Sequence, residues 1–201
     1  MEIFNYGQVE IDYLKKKDKK LAEAIERIGI IEREIIPDLF AALVHSIISQ
    51  QISSKAAATV WNRFLERFDE ITSQKIAYTT AEEIQQCGIT MKKAIYIKSI
   101  ADAVMQGEFN IDELSELPDE EVCKRLSALN GIGVWTAEML MTFSMQRPNV
   151  MSWGDLAIRR GIMMLYHHRK LDKAKFEKYK RRYSPYCTIA SLYLWEIAAG
   201  R

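Results

Sequence analysis

The 201-residue sequence predicts an all-α protein, on three observations. Helix breakers are sparse, with four prolines and nine glycines in the whole chain. Apolar residues recur at i, i+3 and i+4, as in Leu39, Phe40, Leu43, Val44, Ile47 and Ile48, and so fall on one stripe of a 3.6-residue period. Ser, Thr and Asp stand where these periodic segments begin, where a side-chain oxygen can take up an orphan amide.

Taken in order, Asp18 to Ile28 is a helix stopped by Gly29, and the striped helix follows Pro37 and ends near SQQISS. Ser53 or Ser54 caps KAAATVWNRFLERF, and Thr80 with Glu83 forms a capping-box pattern for AEEIQQ before Gly88. Thr90 opens MKKAIYIKSIADAVMQ, which Gly107 closes. Pro118 sits at the first turn of DEEVCKRLSAL, which leads through a glycine pair into VWTAEMLMTFSM. Three further helices are expected near 155–166, 172–182 and 187–199. Strands find support only in the first dozen residues, and there is no repeat or long linker.

The 28 basic and 27 acidic side chains leave a net charge of +1, so an anionic partner must be met by a local patch. Two runs are candidates. KKKDKK, Lys15 to Lys20, holds five lysines, and from Leu156 to Tyr183 ten Lys/Arg face only Asp172 and Glu177. The first has a plainer reading as a solvated helix face; the second is long enough to make a basic surface. Cys87, Cys123 and Cys187 lie far apart, without CxxC spacing or clustered histidines, which argues against a zinc site or an iron–sulfur cluster. The N-terminus lacks a basic stretch followed by an apolar run, and no apolar segment approaches eighteen residues, so a cytoplasmic protein is expected, without signal peptide or membrane span.

The most informative stretch is LNGIGVWTAEM, Leu129 to Met139. Two glycines, Gly131 and Gly133, can take positive φ or admit another backbone closely, while Ile132 between them packs inward. Amides of the turn and of the following first helical turn, through Val134, Trp135 and Thr136, then carry partial positive charge outward and can seat a phosphate without Lys or Arg. Such an interaction positions a strand without reading its sequence. Alone, the pattern reads better as a structural tight turn.

Context changes its weight. LNGIG with the Trp-Thr-Ala that follows, and Asp155 after Gly154, twenty residues beyond Trp135, resemble the helix-hairpin-helix (HhH-GPD) superfamily of DNA base-excision glycosylases. The likeness is to its alkylated-base branch, that of 3-methyladenine DNA glycosylase II. SIISQQISSKAA (46–57), GITMKKAIYIKSIA (88–101) and MSWGDLAIRRGI (151–162) resemble further family segments in family order. The resemblance implies a two-lobed helical fold, with lobes of 36–145 and of 1–35 plus 146–201, and an active site between them.

It also implies roles. Asp155, otherwise only a helix cap, becomes the catalytic carboxylate facing oxocarbenium character on the sugar, as stabiliser, as orienter of the attacking water, or both. Trp195 matches a pocket tryptophan that takes a flipped base, with Trp153 and Tyr193 as neighbours. An electron-rich ring over a cationic methylated purine gains cation–π attraction that a normal base does not. Met139 stands where some relatives have an aromatic. Trp135 stands where lyase relatives carry a Schiff-base lysine, so a monofunctional hydrolase is expected; its plainer reading is a packed core aromatic. Gln50, Gln51 and Ser53 lie at a helix break where the family places its wedge and strand contacts, with Gln51 the preferred wedge. A glutamine pair there also serves simply to satisfy backbone groups.

The resemblance implies that no cofactor is required. It also implies a Na+ or K+ ion held by main-chain carbonyls of Ser127, Leu129 and Ile132, and no iron–sulfur cluster. The partner it implies is double-stranded DNA containing alkylated bases, and a monomer is expected. Two alternatives stay open: a glycosylase for another damaged or mismatched base on the same scaffold, and a non-catalytic helix-hairpin-helix DNA-binding module.

Overall fold

The computed structural model describes residues 2–201, in which twelve α-helices, one 3-10 helix and two short strands account for the regular structure. The chain divides into two units, Met1–Ile35 with Met141–Arg201, and Ile36–Leu140.

The first unit opens with Glu2–Ile3 (β1), followed by Gln8–Lys17 (α1) and Lys19–Ile28 (α2), then Glu34–Ile35 (β2). The strands pair antiparallel, Glu2 opposite Ile35 and Ile3 opposite Glu34. Neither α1 nor β2 is foreseen from sequence: the charged end of α1 masks its apolar spacing, and a two-residue strand has no period to read. Asp18 separates α1 from α2, and its Oδ1 accepts the Leu21 amide at 3.1 Å. Past residue 141 the unit contains Leu156–Tyr166 (α10), Lys173–Tyr183 (α11) and Cys187–Ala198 (α12). All of α12 is buried except Trp195, so this helix is the hub on which the others pack. Each Leu or Ile buried in such a core contributes about 1.5–3 kcal/mol. Gly161 lets α10 lie against α12, because a Cβ there would fall 2.2 Å from the Leu194 carbonyl oxygen.

The second unit contains Leu39–Ser49 (α3), Ser54–Phe68 (α4), Ser73–Ala77 (α5), Ala81–Gln85 (α6) and Met91–Met105 (α7), then a 3-10 turn at Asp112–Glu116 and Asp119–Ser127 (α8). Val134–Phe143 (α9) begins here and carries the chain onward. The caps expected at Ser53, Thr80 and Thr90 are in place, and Asp38, not named from sequence, caps α3. Asp38, Ser53, Thr80 and Thr90 accept the amides of Ala41, Ala56, Glu83 and Lys93 at 2.6, 3.3, 3.2 and 3.3 Å. Glu83 returns a bond from the Thr80 amide at 2.9 Å, completing the capping box. Leu43, Ile47, Phe64, Ile76, Ile97 and Leu126 form the fully buried core.

Charge is partitioned between the units. The first carries 19 basic and 12 acidic side chains, net +7, and the second 9 and 15, net −6. Among the described residues no helix is long and apolar enough to cross a membrane.

Candidate active site

In the acidic unit, the sequence between α8 and α9 folds into the anticipated hairpin. Gly131 has φ +85°, and a Cβ there would sit 2.5 Å from the Tyr96 ring, so glycine is required twice over. Ile132 is buried, its amide donating to the Leu129 carbonyl at 3.1 Å. That bond removes Ile132 from the outward-facing amides expected there. The helical ladder of α9 begins with the Ala137 amide on the Gly133 carbonyl at 2.9 Å, so the amides of Val134, Trp135 and Thr136 precede it, at the positive end of the helix. Val134 and Trp135 are 58% and 49% exposed, so Trp135 is no packed core aromatic; Thr136 is buried and Met139 half-buried.

The break between α3 and α4 is bound to this hairpin. Gln50 donates its side-chain amide to the Gly131 carbonyl at 2.7 Å, so it braces the hairpin rather than projecting outward. Lys93 Nζ donates to the carbonyls of Ile48 and Gln50 at 2.8 and 2.7 Å, closing the C-terminus of α3; burial pushes its pKa below the usual lysine range. Gln51 then stands exposed with φ +59°, a left-handed conformation that costs a non-glycine residue about 1–3 kcal/mol. Ile52 beside it is 40% exposed, and Ser53 is the N-cap of α4. Lys93 and Tyr96 escape the sequence reading, because nothing in GITMKKAIYIKSIA signals partners some forty residues away on either side.

In the basic unit, Asp155 is the N-cap of α10 and only 6% exposed. Its Oδ1 accepts the amides of Ala157 and Ile158 at 2.8 and 2.9 Å. Ala157 in turn lines a groove of about 350 Å³ with Leu156, Arg160, Trp195, Ala198 and Ala199. Asp155 thus directly precedes Leu156 and Ala157, two residues of the groove that Trp195 walls. Trp195 stacks on Phe143 at 5.5 Å and 28°, and the Arg33 guanidinium lies 5.7 Å from the Phe143 ring centre. Phe143 is not foreseen from sequence; its only signal is the aromatic two turns beyond Trp135 in the same helix. Trp153 meets Phe176 edge-on at 5.2 Å and carries the Arg159 guanidinium 4.7 Å from its ring centre.

Tyr193 takes no part in the groove. Its ring is wholly buried in the core, its hydroxyl donates to the Gly29 carbonyl at 3.1 Å, and burial pushes its pKa up. On the helical period, Tyr193 lies two residues, or about 200°, from Trp195, on the opposite side of α12. Among the described residues no three His, Cys, Asp or Glu side chains gather as a metal site.

Comparison with known proteins places these features in a family. The profile of HhH-GPD superfamily base excision DNA repair proteins matches residues 44–185. DNA-3-methyladenine glycosylase 1 of Schizosaccharomyces pombe is 35% identical over 167 residues, covering 78% of this chain and 71% of the relative. The crystal structure of a DNA-3-methyladenine glycosidase from Bacillus halodurans superimposes with a TM-score of 0.86 at 33% identity, covering 98% of this chain and 93% of that one. A 3-methyladenine DNA glycosylase of S. pombe in complex with abasic DNA gives 0.79 at 31%, covering 94% and 96%. With its hairpin, its capped aspartate and its tryptophan groove set in a matching sequence and fold, the chain belongs to the HhH-GPD superfamily of base excision DNA repair proteins.

Proposed function

We propose that this protein is a monofunctional DNA glycosylase that hydrolyses the N-glycosidic bond of alkylated purines, of the 3-methyladenine and 7-methylguanine type, in double-stranded DNA. The observation that carries this reading is Asp155, a buried carboxylate at a helix N-terminus, directly before Leu156 and Ala157 of a groove walled by the half-buried Trp195. The glycosylase names of the relatives support the substrate class.

The chemistry follows from charge. As the C1′–N bond breaks, its electron pair moves to the base and positive charge moves to the sugar. A methylated cationic purine leaves neutral, so no acid need protonate it first. The Asp155 carboxylate stabilises the sugar cation and orients the water that adds at C1′. The target base leaves the stack for the groove, where the Trp195 ring attracts a cationic purine more than a neutral one. The amides of Gly133, Val134, Trp135 and Thr136 clamp a backbone phosphate, and Gln51 enters the gap left by the flipped nucleotide. Carbonyls of Ser127, Leu129 and Ile132 offer an uncharged oxygen set suited to Na+ or K+; such an ion would add positive charge beside the clamped phosphate. Trp135 occupies the lyase position and Lys93 is committed to α3 carbonyls, which favours simple hydrolysis to an abasic site. We place the enzyme in the cytoplasm as a monomer.

The test is base release from methylated duplex DNA by wild type and Asp155→Asn. Asn caps a helix as well as Asp does, so the variant should keep its fold and duplex affinity while excision falls by about 100-fold or more. Undiminished release would remove Asp155 from its role, and release of neither base by wild type would sink the function. Borohydride should trap no covalent DNA adduct.

A further inference from the structure

The first basic run and the far end of the second, at α11, are distant in sequence and lie outside the site described above, yet the structure brings them together. Arg182, at the end of α11, pairs with Asp18 Oδ2 at 2.5 Å, and Asp18 is the residue in the middle of KKKDKK. Tyr13 of α1 donates to the Ser184 carbonyl at 2.5 Å and meets Tyr186 edge-on at 5.1 Å. The hydroxyl of Tyr166, the last residue of α10, donates to the same Asp18 carboxylate. Asp18 is thereby buried and neutralised, and what it leaves on the surface is cationic. Lys16, Lys17, Lys19, Lys20, Lys178 and Arg181 are all exposed, and among the described residues none of them forms an ion pair. The face continues into a groove of about 770 Å³ lined by Lys20, Arg27, His167 and Arg201, with Glu23 on its wall.

We infer that this face, formed by the α1–α2 junction and the end of α11, is a second binding surface for duplex DNA, holding phosphates away from the lesion. It lies at the opposite end of α10 from Asp155: the eleven residues of that helix span about 16 Å. It is therefore distinct from the groove and acts on retention rather than on the chemistry. Gathering these like charges among few acids, with Asp12, Glu23 and Glu177 near them but, among the described residues, paired with none, costs free energy in the isolated protein, and a polyanion relieves it. The duplex is the polyanion favoured because the function proposed above, on which this inference rests, already brings one to the protein.

The experiment uses the full chain with Lys16, Lys17, Lys19 and Lys20 changed to Gln, with Lys178→Gln and Arg181→Gln, and with all six combined. Affinity for an undamaged duplex of some 30 base pairs is measured against salt concentration. The combined variant should show a log–log slope shallower by about 3 to 5, at about 0.9 for each phosphate no longer neutralised, and at least tenfold weaker binding at low salt. The two partial variants should each lower the slope, and the single-turnover excision rate on saturating lesion duplex should stay at the wild-type value. An unchanged slope in the combined variant overturns the inference, as does a slope change carried wholly by one half. Binding to phosphatidylserine vesicles that the six substitutions abolish while the duplex slope is untouched overturns it too. If wild type releases no base yet the slope shifts as expected, the glycosylase reading falls and the duplex-binding face stands.

Discussion

The unit with net charge −6 carries the hairpin proposed to hold phosphate, and the unit with net charge +7 carries the carboxylate proposed to face a sugar cation. Each functional element thus sits in a unit of the sign that opposes its task. The hairpin solves this with geometry: amides at the start of α9, aimed by Gly131 and braced by Gln50, supply local positive charge whatever the net sign around them. Asp155 needs no such help with sign, since it brings its own negative charge; two amides at the head of α10 hold its carboxylate in place. On the proposed function, recognition rests on groups that packing fixes, and the side-chain charge that dominates composition is left for long-range attraction of DNA.

If that division holds, variants in the two units should separate chemistry from binding. Gly161→Ala should have the largest effect. Its Cβ would meet the Leu194 backbone, at 2.2 Å from the oxygen and 2.9 Å from the carbon, and a main chain cannot swing aside as a side chain can. Separating α10 from α12 should cost about 2–3 kcal/mol as overpacking and shift Asp155 away from the Trp195 groove. A fall of several degrees in the thermal midpoint with loss of the single-turnover rate is expected; a wild-type midpoint would show that the helices tolerate separation. Gly131→Ala should come next and act differently. Positive φ and the Tyr96 ring together cost about 1–3 kcal/mol, borne by the hairpin. Duplex affinity should drop about tenfold, a loss of about 1.4 kcal/mol, while the rate at saturating DNA persists. An equal loss of rate and affinity would break the division between the units.

How far the sequence reveals these features depends on how local they are. The caps at Ser53, Thr80 and Thr90, the stop at Gly29 and the turn at Gly131 depend on residues within four positions of one another, and the structure has each where the sequence puts it. Asp155 as an N-cap is local in the same sense. The misplacements are tertiary. Gln51 is the preferred wedge in sequence and does stand outward, but Gln50, expected beside it as a strand contact, is taken by the carbonyl of Gly131, 81 positions away. Tyr193 and Trp195 share one apolar helix, and only the packing around α12 decides that the tyrosine is core and the tryptophan a wall. Lys93 carries no signal, because a lysine that closes another helix looks in sequence like one facing water.

The smallest effect expected is the most specific. Gln51→Gly removes the side chain proposed to fill the gap of the flipped nucleotide, and it also relieves a left-handed residue, so stability and activity should move apart. The relief is worth about 1 kcal/mol, offset in part by the freedom glycine adds to the unfolded chain, and the thermal midpoint should hold or rise slightly. Excision should fall by about tenfold, equivalent to about 1.4 kcal/mol, if Gln51 recovers that much of the few kcal/mol spent on unstacking a base. The comparison is with Ile52→Ala, next in sequence and 40% exposed. A larger loss from Ile52→Ala, with Gln51→Gly near wild type, would move the wedge one residue along. The left-handed backbone of Gln51 would then serve to aim its apolar neighbour.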